Sequence, residues 1–241
     1  MEKNQFEALR ELTERRDYRA LRTALAEENE VDIAEFIEAL PEEKATVAFR
    51  TLPKELAAEV FSNLPPETQQ VIIMSVTDRE LSAIVEDLFV DDAVDMLEEL
   101  PANVVKRVLK SAHPDTRKLI NQFLNYPENS VGSIMTAEFM DLKKSMTVEA
   151  AIKHIRRTGE ESESIYTCYV TDNRSLLGLV TVKDLLLAED DETPIRAIMQ
   201  THVISVSTLA DQEEVARMFA KYNFLALPVV DNENRMVGIV T

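Results

Sequence analysis

The chain has 241 residues, enough for two or three ordinary domains, and 45% of them are hydrophobic, which excludes wholesale disorder. Its 44 acidic residues against 26 basic ones leave a formal charge of −18. That argues against nucleic acid as a partner, because phosphate binding needs a basic face, and it suits solubility first and cation binding second.

The N-terminal stretch MEKNQFEALRELTERR is charged throughout and does not read as a signal peptide. No segment approaches the ~20 consecutive apolar residues of a membrane helix, so the chain as given reads as soluble. Its single cysteine, Cys168, cannot form an internal disulfide and sits in the strand-like run SIYTCYV, which marks it as an inert core residue.

From residue 40 a repeat emerges. Leu-Pro occurs at 40–41, 52–53, 64–65 and 100–101, and Val76-Thr77, Leu88-Phe89 and Ala112-His113 continue the twelve-residue step. Eight and nine residues after each leading residue comes an apolar pair or near-pair: Ala48/Phe49, Val60/Phe61, Ile72/Ile73, Ile84/Val85, Met96/Leu97 and Val108/Leu109. These positions make one helical face. Pro after the Leu suits the first turn of a helix, and Glu42, Glu43, Glu55 and Glu67 suit its positive end. Residues 1–125 contain no Gly, so the breaks must be tight. Helices this short cannot bury their faces alone, whereas stacking them in series does. The prediction for 1–128 is a right-handed α-superhelix of short helices.

Within it, Asp91, Asp95 and Glu99 are spaced i, i+4, i+8 and line one stripe of a helix. Like charges at that spacing repel by a few tenths of a kcal/mol per pair, and a cation relieves the repulsion. Glu59 shares the phase of Asp95 in the repeat. The residues alone favour a solvated face with Asp91 as N-cap.

Near NYPENSVGSIMT (125–136) Gly appears and strand patterns begin. A unit of IMT or IMQT, a strand, a helix opening after Thr147 or Thr208, and two strands around an Asp-Asn turn occurs twice. YVTDNRSLLGLVT (169–181) matches VVDNENRMVGIVT (229–241) with one residue inserted. The expectation is β-α-β-β-α over 129–193 and an incomplete second copy over 194–241, making the whole chain multidomain, α followed by α/β. Acids Asp211 and Glu213 fall in the first turn of the second copy's helix, where they favour its dipole. His113, His154 and His202 lack ligand spacing, which disfavours zinc, and no nucleophile motif points to catalysis.

SIMT, LPVVDNENRMVGIVT and GLVTVKDLL resemble a tandem pair of cystathionine-β-synthase (CBS) domains. In that family a G-x-x-[ST]-x-x-D turn holds the phosphate and ribose of a nucleotide, which here falls on Gly178, Thr181 and Asp184. Phe224, Leu225, Ala226 and Pro228 lie where they could hold an adenine. Read as residues only, Thr181 caps the next helix and the four apolar residues pack a strand.

Taken in order, the helical repeat, YPENSVGSIMT and the CBS pair containing TLADQEEVARMFAKYNFLALPVVD resemble the cytosolic N-terminal region of the MgtE family of magnesium channels. The resemblance implies a last CBS helix, a connecting helix and a membrane pore domain beyond Thr241. It implies a non-enzymatic, Mg2+-sensing region on the cytoplasmic side of the membrane, homodimeric through its CBS domains. Mg2+ bridging acidic faces would favour the closed channel, with ATP as a second implied ligand. The implied metal residues are Glu59, Asp91 and Asp95 from the helical domain and Asp211 and Glu213 from the CBS pair. Asn223 stands where an Asp is common, which weakens any site using that position. The alternative reading is a soluble CBS scaffold that senses adenine nucleotides.

Overall fold

The computed structural model describes residues 3–241, excepting the side chains of Lys3 and Glu55, so the expectation for Glu55 lies outside the described residues. Residues up to Leu88 together with Asp92–Ile120 form one compact unit, and Phe89–Asp91 with Asn121–Thr241 form the other.

The first unit is helical: α1 (Lys3–Glu14), α2 (Tyr18–Leu25), α3 (Glu30–Glu38), α4 (Glu42–Thr51), α5 (Lys54–Ser62), α6 (Pro66–Ser75), α7 (Asp78–Asp87), α8 (Val90–Glu99), α9 (Ala102–Ser111) and α10 (Pro114–Phe123). From α2 onward each helix begins twelve residues after the one before. The repeat therefore reaches further towards the N-terminus than Leu-Pro reveals. There Asp17 and Asn29 take the cap position, accepting from the Ala20 and Val31 amides.

Two local expectations need correction. Pro41, Pro53, Pro65 and Pro101 are N-cap residues, one position before the first turn. A cap needs no intrahelical N–H, and the Pro41 carbonyl accepts the first helical bond from the Ala45 amide at 2.9 Å. Asp91 is the second residue of α8 and not its cap, because the twelve-residue step starts that helix at Val90, which is buried.

Packing runs between alternate helices: α2 on α4, α4 on α6, α3 on α5, α5 on α7 and α7 on α9. Val60, Phe61, Ile72, Ile73 and Leu81 are fully or almost fully buried by it. Polar links instead join helices three apart. Arg50 of α4 meets Glu80 of α7 at 2.8 Å, Arg107 of α9 donates to the Ile73 and Val76 carbonyls at the end of α6, and Glu86 of α7 accepts from the His113 amide at 2.7 Å.

The second unit holds two three-stranded sheets. In one, β1 (Phe139–Lys143) runs parallel to β2 (Ser164–Asp172), which pairs antiparallel with β3 (Ser175–Thr181). In the other, β4 (Val206–Ser207) runs parallel to β5 (Leu227–Val230), which pairs antiparallel with β6 (Met236–Val240). Short helices α11 (Val131–Ile134) and α14 (Ile195–Ile198) lead into the copies, α12 (Val148–Thr158) and α15 (Gln212–Tyr222) cross between their strands, and α13 (Val182–Leu186) closes the first. Thr147 caps α12 as expected, its hydroxyl accepting from the Ala150 amide. Helix α15 is capped by Asp211 and not by Thr208. Thr208 is buried, and its amide bonds the Val230 carbonyl at 3.1 Å, which keeps it in the sheet region.

The lead segments cross over. Thr136 of the first exchanges both main-chain bonds with Ile239 of β6, and Gln200 of the second exchanges both with Leu179 of β3. Each copy's sheet is thus finished by the other copy's lead. Gly178 and Gly238 sit at these crossings: a Cβ on Gly178 would lie 2.6 Å from the Gln200 carbonyl oxygen, and one on Gly238 would clash with the Thr136 carbonyl. One core gathers Met140, Leu142, Val148, Ala151, Cys168, Val170, Val180, Leu185 and, from the second lead, Ile195.

Candidate functional site

The acidic stripe lies on α8, which carries Asp91, Asp95 and Glu99. Asp95 and Glu59 are each the sixth residue of their helices, α8 and α5, and both are exposed. Protein atoms crowding the Asp95 carboxyl hold its pKa above the usual carboxylate range, and the charge of Glu99 one turn on adds to the rise. On this exposed residue solvent screens most of that penalty, and a cation between Asp95 and Glu99 would relieve the repulsive part of it. Among the described residues, no three His, Cys, Asp or Glu side chains are close enough to hold a metal ion among themselves. Mg2+ keeps several waters and uses few carboxylates, so the stripe is compatible with an ion held through its hydration shell.

In the second unit Asp211 accepts from the Glu213 amide at 2.7 Å, and Glu213 lies 3.5 Å from Arg217 in an exposed pair. Both acids thus serve the N-terminus of α15 as dipole and cap chemistry require. Asn223 ends α15 in the left-handed region (φ 54, ψ 42), its amide bonding the Phe219 carbonyl. Asn tolerates that conformation better than most residues, which is a backbone reason for its presence.

Thr181 and Asp184 form a capping box at the start of α13. The Thr181 hydroxyl accepts from the Asp184 amide at 3.1 Å, and Asp184 Oδ2 accepts from the Thr181 amide at 2.9 Å and its hydroxyl at 2.6 Å. The apolar quartet does not act as one surface. Pro228 is buried in β5, Ala226 packs against the cluster of Tyr169, Met236 and Ile239, Phe224 lies near Tyr222 with ring centroids 5.2 Å apart, and Leu225 is 68% exposed.

Tyr169 escaped the sequence reading. It lies where the copies meet, packed with Met236, Ile239, Phe139, Leu176, Leu179 and Ala226, and is 1% exposed. Its hydroxyl is buried with no hydrogen-bond partner among the described residues, and burial pushes its pKa well up. The one available signal was a Tyr on β2 where the second repeat has Val229. Cys168, by contrast, behaves as expected: burial pushes its thiol up to about 12, so it is no nucleophile at neutral pH.

A stack of short helices followed by two crossed CBS copies with capped, acid-bearing helix ends defines a helical domain joined to a CBS pair. Two family descriptions cover it almost end to end: the MgtE intracellular N domain over residues 28–129 and the CBS domain over 131–191 and 195–241. The chain is 40% identical over 156 residues to the magnesium transporter MgtE of Thermus thermophilus, covering 63% of this chain and 34% of that protein. To MgtE of Bacillus subtilis it is 34% identical over 174 residues, covering 72% of this chain and 38% of the relative. The aligned region spans little more than a third of either relative.

Two solved structures superimpose on nearly all of it. One is the soluble part of a magnesium transporter (TM-score 0.93, 27% identity, 99% of this chain and 94% of that one). The other is the cytosolic domain of the Mg2+ channel MgtE in complex with ATP (TM-score 0.88, 38% identity, 98% and 96%). The chain belongs to the MgtE family and corresponds to its cytosolic region. Among the described residues, no helix is long and apolar enough to cross a membrane.

Proposed function

We propose that this chain is the Mg2+-sensing region that gates a membrane magnesium channel, with bound Mg2+ favouring the closed state. The observation that carries the reading is the 38% identity, over 98% of the chain, to the cytosolic domain of the Mg2+ channel MgtE. The physical support is Asp95, whose carboxyl is held above its ordinary range in the absence of an ion. Asp91, Asp95 and Glu59 from the helical unit and Asp211 and Glu213 from the CBS pair are the acids assigned to the ion. At low Mg2+ their charge, within a total of −18, opposes compaction; bound Mg2+ shifts the population by its tighter affinity for the closed form. The pore domain of the parent protein and a second copy of this chain, joined through the CBS domains, are the assigned partners.

The test is Asp91→Asn/Asp95→Asn in the full chain, with melting temperature and small-angle scattering followed through a Mg2+ titration. Wild type should gain about 1.4 kcal/mol at ten times the Kd of one site and lose radius of gyration. The double variant should be as stable as wild type without ion, or slightly more so, and lose much of the response. A variant that responds as fully as wild type overturns the assignment.

An adenine nucleotide is a second ligand of the same region, favoured by the ATP bound in the related cytosolic domain. Asp184 Oδ2 is committed to the cap, so a ribose would meet Oδ1, with Thr181 beside it. Exposed Leu225, with Phe224 and Ala226 beside it, would meet the base while buried Pro228 backs them from β5, and a polar atom reaching between the copies would satisfy the Tyr169 hydroxyl. Calorimetry with ATP on Tyr169→Phe and Asp184→Asn tests this: unchanged affinity in both removes these residues from the site.

A further inference from the structure

The two CBS copies are entered through related junctions, and the junctions share their main-chain bonds. At the first, the Gln212 amide donates to the Asn129 carbonyl (3.0 Å), Val131 to Ala210 (2.8 Å) and Gly132 to Thr208 (2.8 Å). At the second, Val148 donates to Thr193 (3.0 Å), Ile195 to Met146 (2.8 Å) and Arg196 to Lys144 (3.2 Å). Isolated bridges match as well, Ser130 with Asp211 and Thr147 with Pro194.

Two bonds break the symmetry: the second junction alone has the Glu149 amide donating to the Asp191 carbonyl (3.0 Å), and the first alone has a side-chain bond. Gln212 Nε2 donates to Asn129 Oδ1 at 3.0 Å, across 83 residues of sequence, whereas its counterpart Val148 has no polar side chain. Asn129 holds φ at 63°, a left-handed conformation that Asn tolerates. The side-chain bond falls on the junction through which the chain arrives from the helical repeat. It also falls on the first turn of α15, where the Gln212 amide is one of the donors a helix leaves unsatisfied. That turn carries Asp211 and Glu213.

We propose that Asn129 and Gln212 are positioning residues that fasten the arriving segment, 129–132, to the N-terminus of α15. The segment and the acidic turn then order and loosen together, so a change at Asp211 and Glu213 is passed to the chain leading back to the helical repeat. The second junction, without the side-chain bond, opens independently. The ion arm of the test rests on the Mg2+ reading above; the clamp itself does not.

The experiment is amide hydrogen exchange by NMR on the full chain. Asn129→Gly keeps the left-handed backbone and removes Oδ1, and Gln212→Ala removes Nε2. Either should speed exchange at Gln212, Val131 and Gly132 about threefold to tenfold, the loss expected for one hydrogen bond, and leave Val148, Ile195 and Arg196 unchanged. Asp211→Ala, which removes the α15 cap, should also speed Val131 and Gly132, and should add nothing there once Asn129 is Gly. Exchange at Val131 and Gly132 indistinguishable from wild type in the single variants, or effects that simply add in the double, overturns the proposal. Millimolar Mg2+ should slow Gln212 and Val131 together in wild type, but not Val131 in Asn129→Gly. If Mg2+ slows none of these amides while the variants behave as stated, the ion reading fails and the clamp stands. If Mg2+ slows Gln212 in wild type without slowing Val131, the clamp fails.

Discussion

Replacing Gly178 by Ala tests the crossing of the two lead segments. The new Cβ would stand 2.6 Å from the Gln200 carbonyl oxygen and 3.2 Å from Met199 Sδ, so the carbonyl must retreat by about 0.8 Å to reach ordinary contact. That retreat stretches the paired Leu179–Gln200 bonds, now 3.0 and 2.9 Å, beyond useful length. Two main-chain bonds at about 1 kcal/mol each and about 1–3 kcal/mol of overpacking oppose a gain of about 0.4–1 kcal/mol from the stiffer unfolded chain. The net is a loss of about 2–5 kcal/mol. Gly159→Ala is the control: there the backbone is ordinary helical (φ −68, ψ −25), and the new Cβ meets side chains only, Ile165 Cγ2 at 3.0 Å and Ile155 Cγ2 at 3.8 Å. The tight Ile165 methyl offsets the gain from the stiffer unfolded chain, so the change should stay within about 1 kcal/mol of wild type. Urea unfolding followed by circular dichroism gives both values. A Gly178→Ala protein with the wild-type midpoint, its Leu179 and Gln200 amides still protected, would refute the reasoning.

The Arg50 guanidinium and the Thr77 cap hold the Glu80 pKa down to about 2 from 4.5, so its contribution is present above about pH 4.5 and is lost as pH falls towards 2. With the pair two-fifths exposed, that contribution stays below about 1 kcal/mol, and Glu80→Gln should flatten the acid limb of the urea midpoint against pH. Asp95 runs the other way: its raised pKa makes the charged form destabilising above that pKa, so Asp95→Asn should unfold slightly later than wild type at neutral pH without metal. Arg174 holds φ at 67° in the β2–β3 turn, so Arg174→Gly should raise stability by about 1 kcal/mol in the same assay. Asp184→Ala breaks the α13 capping box and should lower it by about 1 kcal/mol, so any nucleotide titration of that variant needs its melting curve beside it.

The twelve-residue step, the helix lengths and the doubled strand–helix–strand–strand order were legible along the chain because they are local. Apolar spacing and Pro position act within one turn or one strand, and the helices start at Glu42, Lys54 and Pro66 as that pattern requires. Asp17 and Asn29 show its limit: different cap chemistry does the same work as Pro, so the first units carry no Leu-Pro mark. Gly178 looked like part of a phosphate turn, and only the tertiary structure shows a backbone carbonyl where its side chain would be. The same holds for Tyr169, the crossed leads and the Asn129–Gln212 bond, each of which joins residues from the two copies. Such contacts are decided by which surfaces meet after the elements form. The acids stand between these cases: their spacing on α8 was readable, whereas the raised Asp95 pKa depends on the protein atoms that fold around its carboxyl.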